Sequence, residues 1–256
     1  MTSYGVVNQK GGVGKTTTAV NLSVGLALKG ENVLLIDCDP QGNATTGLGI
    51  EKSKIESSIV DLLVATSEDN LTDESVNKSI LHLEFGLDII PSVTELAVLD
   101  QSLATSIGRE TLLRTLVEKL GDRYQWIILD SPPSLGFMTI NVLCASNQVI
   151  VPLQSEFYSL EGISQLLKTI QLVQKRINPQ LKIGKVVLTM HDPRSKSAQQ
   201  IHHEVANYFG DILAKTVIPR NVRLSEAPSF GEPALLRFPS SKGAIAYQDL
   251  LKEVFV

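Results

Sequence analysis

The eight residues Lys10-Gly11-Gly12-Val13-Gly14-Lys15-Thr16-Thr17 restrict this chain more than any other stretch. They stand between a short apolar run, Tyr4 to Asn8, and a helical pattern that begins near Gly14. A glycine-rich turn in that setting lets consecutive backbone N–H groups converge on a phosphate. The N-terminus of the following helix adds its positive dipole end at the same point. Lys15 is then placed for the β- and γ-phosphates, and the Thr16 hydroxyl for Mg²⁺. Two departures from the ordinary spacing G-x-x-x-x-G-K-[ST] stand out. Gln9 occupies the place of the first glycine, and a second lysine, Lys10, enters the loop. The expectation is a nucleoside triphosphate site on a strand–loop–helix unit, which commits the chain to an α/β architecture.

The rest of the sequence agrees with that commitment. Runs rich in β-branched and aliphatic residues recur at Tyr4–Asn8, Asn32–Asp37, Leu87–Pro91, Trp126–Asp130, Gln148–Leu153, Lys185–Met190 and Ala214–Pro219. Several are almost continuously apolar, the pattern of parallel strands covered on both faces. Helical periodicity fills the intervals. Thr16–Lys29 ends at Gly30, a plausible C-terminal stop, and Ile163, Leu166, Ile170 and Val173 mark one face of a helix halted before Pro179. Glu110–Leu120, Ala198–Phe209 and Ala244–Val254 read the same way. The segment from Glu51 to Lys78, rich in Ser, Asp, Glu and Asn, is expected as loop with short helices. With neither repeat nor low-complexity linker, residues 1–256 are expected as one P-loop NTPase domain. Its sheet should be twisted and mostly parallel, with helices on both faces.

Composition excludes more than it proposes. No run approaches the 18 apolar residues of a membrane span, and no secretory leader is expected at the N-terminus. Cys38 and Cys144 have no metal-ligand spacing and read as reduced core thiols of a cytoplasmic protein. The four histidines also lack ligand spacing. A net charge of −4 does not suggest a nucleic-acid binder. The distribution is uneven, however: residues 1–181 carry 13 Lys and Arg against 20 Asp and Glu, whereas residues 182–256 carry 10 against 7.

Three further segments carry chemistry at the ends of strands, where open α/β sheets place ligands. In Leu34-Leu35-Ile36-Asp37-Cys38-Asp39-Pro40-Gln41-Gly42-Asn43, Asp37 and Asp39 fall on one side at period two. They suit Mg²⁺–water contacts and the orientation of an attacking water, Asp39 being nearer the γ-phosphate. Trp126-Ile127-Ile128-Leu129-Asp130-Ser131-Pro132-Pro133 is an apolar strand ending in a carboxylate, the Walker B pattern. Asp130 is therefore a second candidate for the metal beside Thr16 and Asp37. In Pro219-Arg220-Asn221-Val222-Arg223-Leu224-Ser225-Glu226-Ala227-Pro228, the Asn221 amide could read an adenine edge. Chemistry alone leaves Arg220 and Arg223 open between solvated loop residues and phosphate contacts; Arg194, Lys196 and Lys242 are further basic candidates for which the solvated reading is ahead.

Taken together, these four segments resemble the ParA-type partitioning ATPases, in particular the short chromosomal Soj form, over about residues 3–252. The resemblance implies a deviant-Walker ATPase that uses ATP and Mg²⁺. In it Lys10 crosses a nucleotide-sandwich homodimer to the other subunit's phosphates, Gly12 permits the close approach of two backbones, and Lys15 and Thr16 hold phosphate and metal. Asp39 is implied as the residue needed for hydrolysis. Pro219 and Asn221 are implied as the adenine contacts, and Arg194, Arg220 and Arg223 as contacts to non-specific double-stranded DNA. A ParB (Spo0J)-like centromere-binding partner would stimulate hydrolysis, and the protein would be cytoplasmic and nucleoid-associated. No N-terminal helix-turn-helix domain is expected. The runner-up is a MinD-like switch at a membrane surface, a group that ends in a basic amphipathic helix. The end of this chain, Tyr247 to Val256, holds one lysine and two acids.

Overall fold

The backbone alternation of the strands explains why the protein is built as a sheet with two covered faces. In the computed structural model, which describes residues 1–156 and 159–255 and only the backbone of residues 100 and 159–161, seven strands form one sheet. They are β1 (Thr2–Val6), β2 (Val33–Asp37), β3 (Leu81–His82), β4 (Leu87–Ile90), β5 (Trp126–Asp130), β6 (Gln148–Gln154) and β7 (Lys182–Thr189), in the order β3-β4-β2-β5-β1-β6-β7. All neighbours are parallel except β3, which runs antiparallel to β4.

Leu34 and Ile36 of β2, Ile127 and Leu129 of β5, and Val149, Val151 and Leu153 of β6 join one buried cluster. It is covered by α3 (Ile59–Ser67), α4 (Asp73–Ser79), α5 (Leu96–Ser102), α6 (Leu112–Leu120), α7 (Phe137–Ala145), α8 (Ser159–Arg176) and α9 (Lys196–Phe209). The alternate residues Val33, Leu35, Ile128 and Ile150 join a second cluster. Its covering helices are α1 (Lys15–Ala27), α2 (Asn43–Gly47), α11 (Ala234–Arg237) and α12 (Lys242–Val254), while α10 (Val222–Glu226) lies at the rim. Burial on both faces removes the polar alternation of a one-sided sheet, which is why these strands read as continuous apolar runs. Cys38 and Cys144 are buried free thiols.

Two close approaches fix the packing around the loop. A Cβ on Gly5 of β1 would stand 2.6 Å from Ser146 Oγ and 2.8 Å from Val142 Cγ1, so β1 reaches α7 only with glycine there. A Cβ on Gly25 of α1 would meet Leu251 at 3.0 Å, which lets α1 lie against α12. The segment 51–78 is loop with short helices, as the sequence indicates, and Ser58 and Thr72 close capping boxes at α3 and α4.

One expected strand is not formed. Ala214–Pro219 lies along β7 but touches it through isolated bridges, Val186 with Leu213 and His191 with Pro219. The cause is a side chain. The Glu253 carboxylate of α12 accepts the Lys215 and Thr216 N–H groups at 2.8 and 3.0 Å, so the middle of the run spends its donors away from the ladder. Burial raises the Glu253 pKa, but these bonds outweigh it and hold the carboxyl below its usual value.

Candidate nucleotide-binding site

The loop between β1 and α1 is held by side chains at the strand ends around it. Asn8 Oδ1 accepts from Lys10 N at 3.0 Å, while Asn8 Nδ2 donates to Pro152 O at 2.7 Å. Gln154 Nε2 donates to Gly12 O at 3.0 Å and Thr189 Oγ1 to Val13 O at 2.9 Å. Val13 is wholly buried and anchors the turn. Gly12 (φ +71°) and Gly14 (φ +88°) take left-handed conformations that any side chain would strain. Gly14 caps α1 with no side-chain acceptor on the first N–H groups, which leaves those donors for an anion.

The two lysines of the loop have different surroundings. Lys15 is 6% exposed, and its ammonium donates to Lys10 O at 3.1 Å. Burial lowers its pKa, and the charges of Asp130 and Asp39 work against that shift. Lys10 lies at the open side, where its ammonium meets Gln154 Oε1 at 2.9 Å and Glu156 Oε2 at 3.2 Å. Gly11 and Gly12 are exposed.

Parallel registry brings Asp37 and Asp130 side by side at the ends of β2 and β5. Their environments differ. Asp37 is tied down: Oδ2 accepts from Thr45 N (2.9 Å) and Thr45 Oγ1 (2.7 Å), and Oδ1 from Asp39 N (3.2 Å). Burial raises its pKa, and the Thr45 bonds pull it back. Asp130 is equally buried, but neither carboxylate oxygen has a hydrogen-bond partner. Burial and the neighbouring Asp37 charge push its pKa well up, against the pull of the Lys15 charge.

A buried carboxylate without donors costs several kcal/mol unless something cationic meets it, so Asp130 fits a divalent cation at the entrance of the loop. Among the described residues no group of three His, Cys, Asp or Glu could by itself cage a metal. Mg²⁺ is bound through one or two protein ligands and completes its shell with phosphate and water. Asp39, buried just beyond β2, accepts Gln41 N with Oδ1 at 2.9 Å, which fixes the loop that leads to α2.

A cleft of ≈ 420 Å³ opens beside the start of α1 and is lined by Gly14, Thr17, Met190, Pro219, Asn221 and Tyr247, among others. It has the position of a nucleoside site next to the phosphate loop. Asn221 caps α10, its Oδ1 accepting from Arg223 N at 2.9 Å, which leaves its Nδ2 donors and one Oδ1 lone pair for other partners.

The chain resembles known proteins along nearly its entire length. A family described as an AAA domain matches residues 1–183. The sporulation initiation inhibitor protein Soj of Bacillus subtilis is 51% identical over 251 residues, which span 97% of this chain and 96% of that one. The chromosome partitioning protein ParA of Caulobacter vibrioides is 45% identical, across 97% of this chain and 92% of its own. The chain belongs to the ParA/Soj family of partitioning ATPases. It is an ATPase whose cofactors are ATP and Mg²⁺. Among solved structures, cobyrinic acid a,c-diamide synthase from Mycobacterium smegmatis with a bound ATP analogue and magnesium superposes with a TM-score of 0.86. It shares 33% identity over 98% of this chain and 93% of that one.

The structure brings the phosphate loop, Asp37, Asp39 and Asp130 together at the carboxyl ends of the central strands β1, β2 and β5, with Pro219 and Asn221 in the adjoining cleft. Arg220 is exposed at the lining of that cleft, while Arg194 and Arg223 lie outside it on the surface. Arg194 clasps Asp192 with Nε and Nη2 at 3.0 and 2.9 Å. Arg220 stands 4.0 Å from Glu156, and Arg223 pairs with Glu226 at 2.7 Å and covers the Phe238 ring at 4.8 Å. The loops that carry Arg194 and Arg220 run side by side, joined by the His191–Pro219 bridge. Asn8, Thr45, Gln154 and Thr189, which shape the site, escape sequence reading. Asn8, Gln154 and Thr189 are single polar residues at or just past strand ends, with no periodic signal and with partners far away in sequence, and Thr45 is one threonine of a short helix.

Proposed function

We propose that this protein is an ATP-dependent partitioning switch of chromosomes or plasmids. ATP joins two protomers face to face, the pair binds non-specific DNA, and hydrolysis separates it. The observation that carries this reading is the division of labour within the loop. Lys15 is buried and committed to its own phosphate site, whereas Lys10 and Gly12 lie at the open face. A Cβ on Gly12 would meet nothing within 4 Å in the isolated protomer, so its bare backbone is surface available to a second copy.

In this reading Lys10 reaches the phosphates of the partner, and Lys15 holds those of its own protomer. Thr16 and Asp130 would hold Mg²⁺, which would supply positive charge against the phosphates. Asp37 keeps one lone-pair direction beyond its three hydrogen bonds and contacts a water of the ion's shell. Asp39 uses its free oxygen to orient the water that attacks the γ-phosphorus as the bond to the leaving ADP breaks. Pro219 and Asn221 border the adenine.

Each candidate DNA-binding arginine faces a carboxylate in the resting protomer, which weakens a single patch. Phosphate contacts add, and each is salt-dependent, so a paired patch on two protomers binds a duplex far better than one. That reconciles DNA binding with the net charge of −4. A ParB-like partner fits as the stimulator of hydrolysis, and the nucleoid as the site of action. A membrane-surface role is less well supported. The apolar face of α12, with Ala244, Tyr247, Leu250 and Leu251, is buried in the core, and among the described residues no helix is long and apolar enough to cross a bilayer.

A gel shift on random duplex with ADP, ATP and a non-hydrolysable analogue, at two salt concentrations, tests the proposal. Retardation with ATP and the analogue that weakens with salt is expected. Equal retardation with ADP would refute it.

A further inference from the structure

The end of β6 holds the open half of the phosphate loop in a grip that the nucleotide chemistry does not require. Gln154 is only 9% exposed, and its amide is used at both ends. The oxygen accepts from Lys10 Nζ at 2.9 Å, and the nitrogen donates to Gly12 O at 3.0 Å. Two residues further on, Glu156 places Oε2 3.2 Å from the same ammonium and Oε1 4.0 Å from Arg220 Nη2. Lys10 and Gly12 are the two loop residues that the proposed dimer needs at its interface. In the resting protomer both are bonded to one strand end of their own chain.

We propose that Glu156 is a positioning residue that keeps Lys10 on its own protomer, and so sets how much ATP is needed before two protomers join. The inference rests on the reading of Lys10 as a contact made across the dimer. Gln154 supplies a neutral acceptor that fixes where the ammonium lies, and Glu156 supplies the charge that holds it there. For Lys10 to reach the partner's phosphates, the Glu156 ion pair must open. A triphosphate carries more negative charge than one carboxylate, so it wins the exchange, whereas a diphosphate offers less. The carboxylate therefore raises the threshold for pairing without touching the nucleotide of its own protomer. The side chains of Lys10 and Glu156 are 37% and 52% exposed, so the hold is of the strength of a partly solvated ion pair. That amounts to about two- to fivefold in an equilibrium for each protomer. Two protomers release two such pairs, which gives about four- to 25-fold in the dimerisation constant.

The test is sedimentation velocity of the wild type and Glu156→Gln over a range of Mg²⁺ and a non-hydrolysable ATP analogue. Glutamine keeps the length of the side chain and removes its charge. The variant is expected to pair at a lower protein concentration by the factor above. In about 1 M salt, where screening acts within roughly 3 Å, the two proteins are expected to coincide. Affinity of the monomer for ADP should be unchanged. A variant that pairs as the wild type does, or whose advantage persists at high salt, overturns the role of Glu156 and leaves the dimer reading intact. A wild type that never pairs with the analogue overturns the dimer reading itself.

Discussion

Thr45→Val should reveal how the carboxylate at the end of β2 is held. Thr45 is wholly buried. Its hydroxyl donates to Asp37 Oδ2 at 2.7 Å and accepts from Ser92 N at 3.0 Å, so one side chain joins β2 to the segment after β4. Valine matches the shape but can make neither bond. A hydrogen bond to a charged acceptor contributes about 1.5–3 kcal/mol, and a buried N–H left without an acceptor costs about 1–3 kcal/mol. Together the substitution should destabilise the nucleotide-free protein by about 2.5–6 kcal/mol. In a chain of this size, about 2 °C is lost per kcal/mol, so the melting midpoint should fall by about 5–12 °C. Thr45→Ser keeps both bonds and removes only a methyl, at a cost of about 1 kcal/mol. Urea unfolding of the three proteins at one pH measures these differences directly. Because Asp37 in turn accepts Asp39 N, ATP hydrolysis by Thr45→Val should also drop by about 10- to 100-fold, the size expected when support behind a metal site is lost. Equal stability of the valine and serine variants would refute the hydrogen-bonded account of Asp37.

Three further outcomes follow from the geometry. Asp39→Ala should bind ATP and stay paired on DNA without turning over; phosphate release at the wild-type rate would exclude Asp39 from the reaction. Asp130→Asn should abolish the Mg²⁺-dependent part of the thermal stabilisation by ATP. It should also change the pH profile of the nucleotide-free protein. Burial and Asp37 raise the folded pKa of Asp130 above its unfolded value, so its contribution is complete at low pH and is lost as pH rises through the folded pKa. The stability of Asp130→Asn relative to wild type should therefore increase between pH 5 and pH 8, as followed by thermal melts; a constant difference would contradict the assignment. Gly5→Ala forces a methyl to within 2.6 Å of Ser146 Oγ and should cost about 1–3 kcal/mol as β1 and α7 separate, whereas unchanged stability would show that the two elements can yield freely.

The phosphate loop, the β5 carboxylate and six of the seven sheet strands were readable in the chain because each is a local pattern: glycine spacing, an apolar run, an acid at its end. The seventh strand, Leu81–His82, is two residues long and has no period to detect. Ala214–Pro219 has the composition of a strand, yet Glu253, far along the chain, takes its central N–H groups. Short helices such as Val222–Glu226 owe their existence to a cap and to packing and not to amphipathic repeats. Within the site, sequence spacing puts Asp37 and Asp130 in equivalent roles, but the fold separates them. Thr45 satisfies one, while the other is left with bare oxygens. That difference depends on which strands become neighbours, and spacing along the chain does not encode it. The arginines were visible as charges, but the pairing of Arg220 with Glu156, far away in the chain, was not.

Sedimentation velocity of Asp39→Ala with Mg²⁺, ATP and a fluorescent random-sequence duplex tests the central claim most directly. The protomer mass is 27.8 kDa. The account predicts that the duplex co-sediments only with a species of twice that protein mass, and only when ATP is present. Duplex carried by single protomers, or carried equally with ADP, would contradict it.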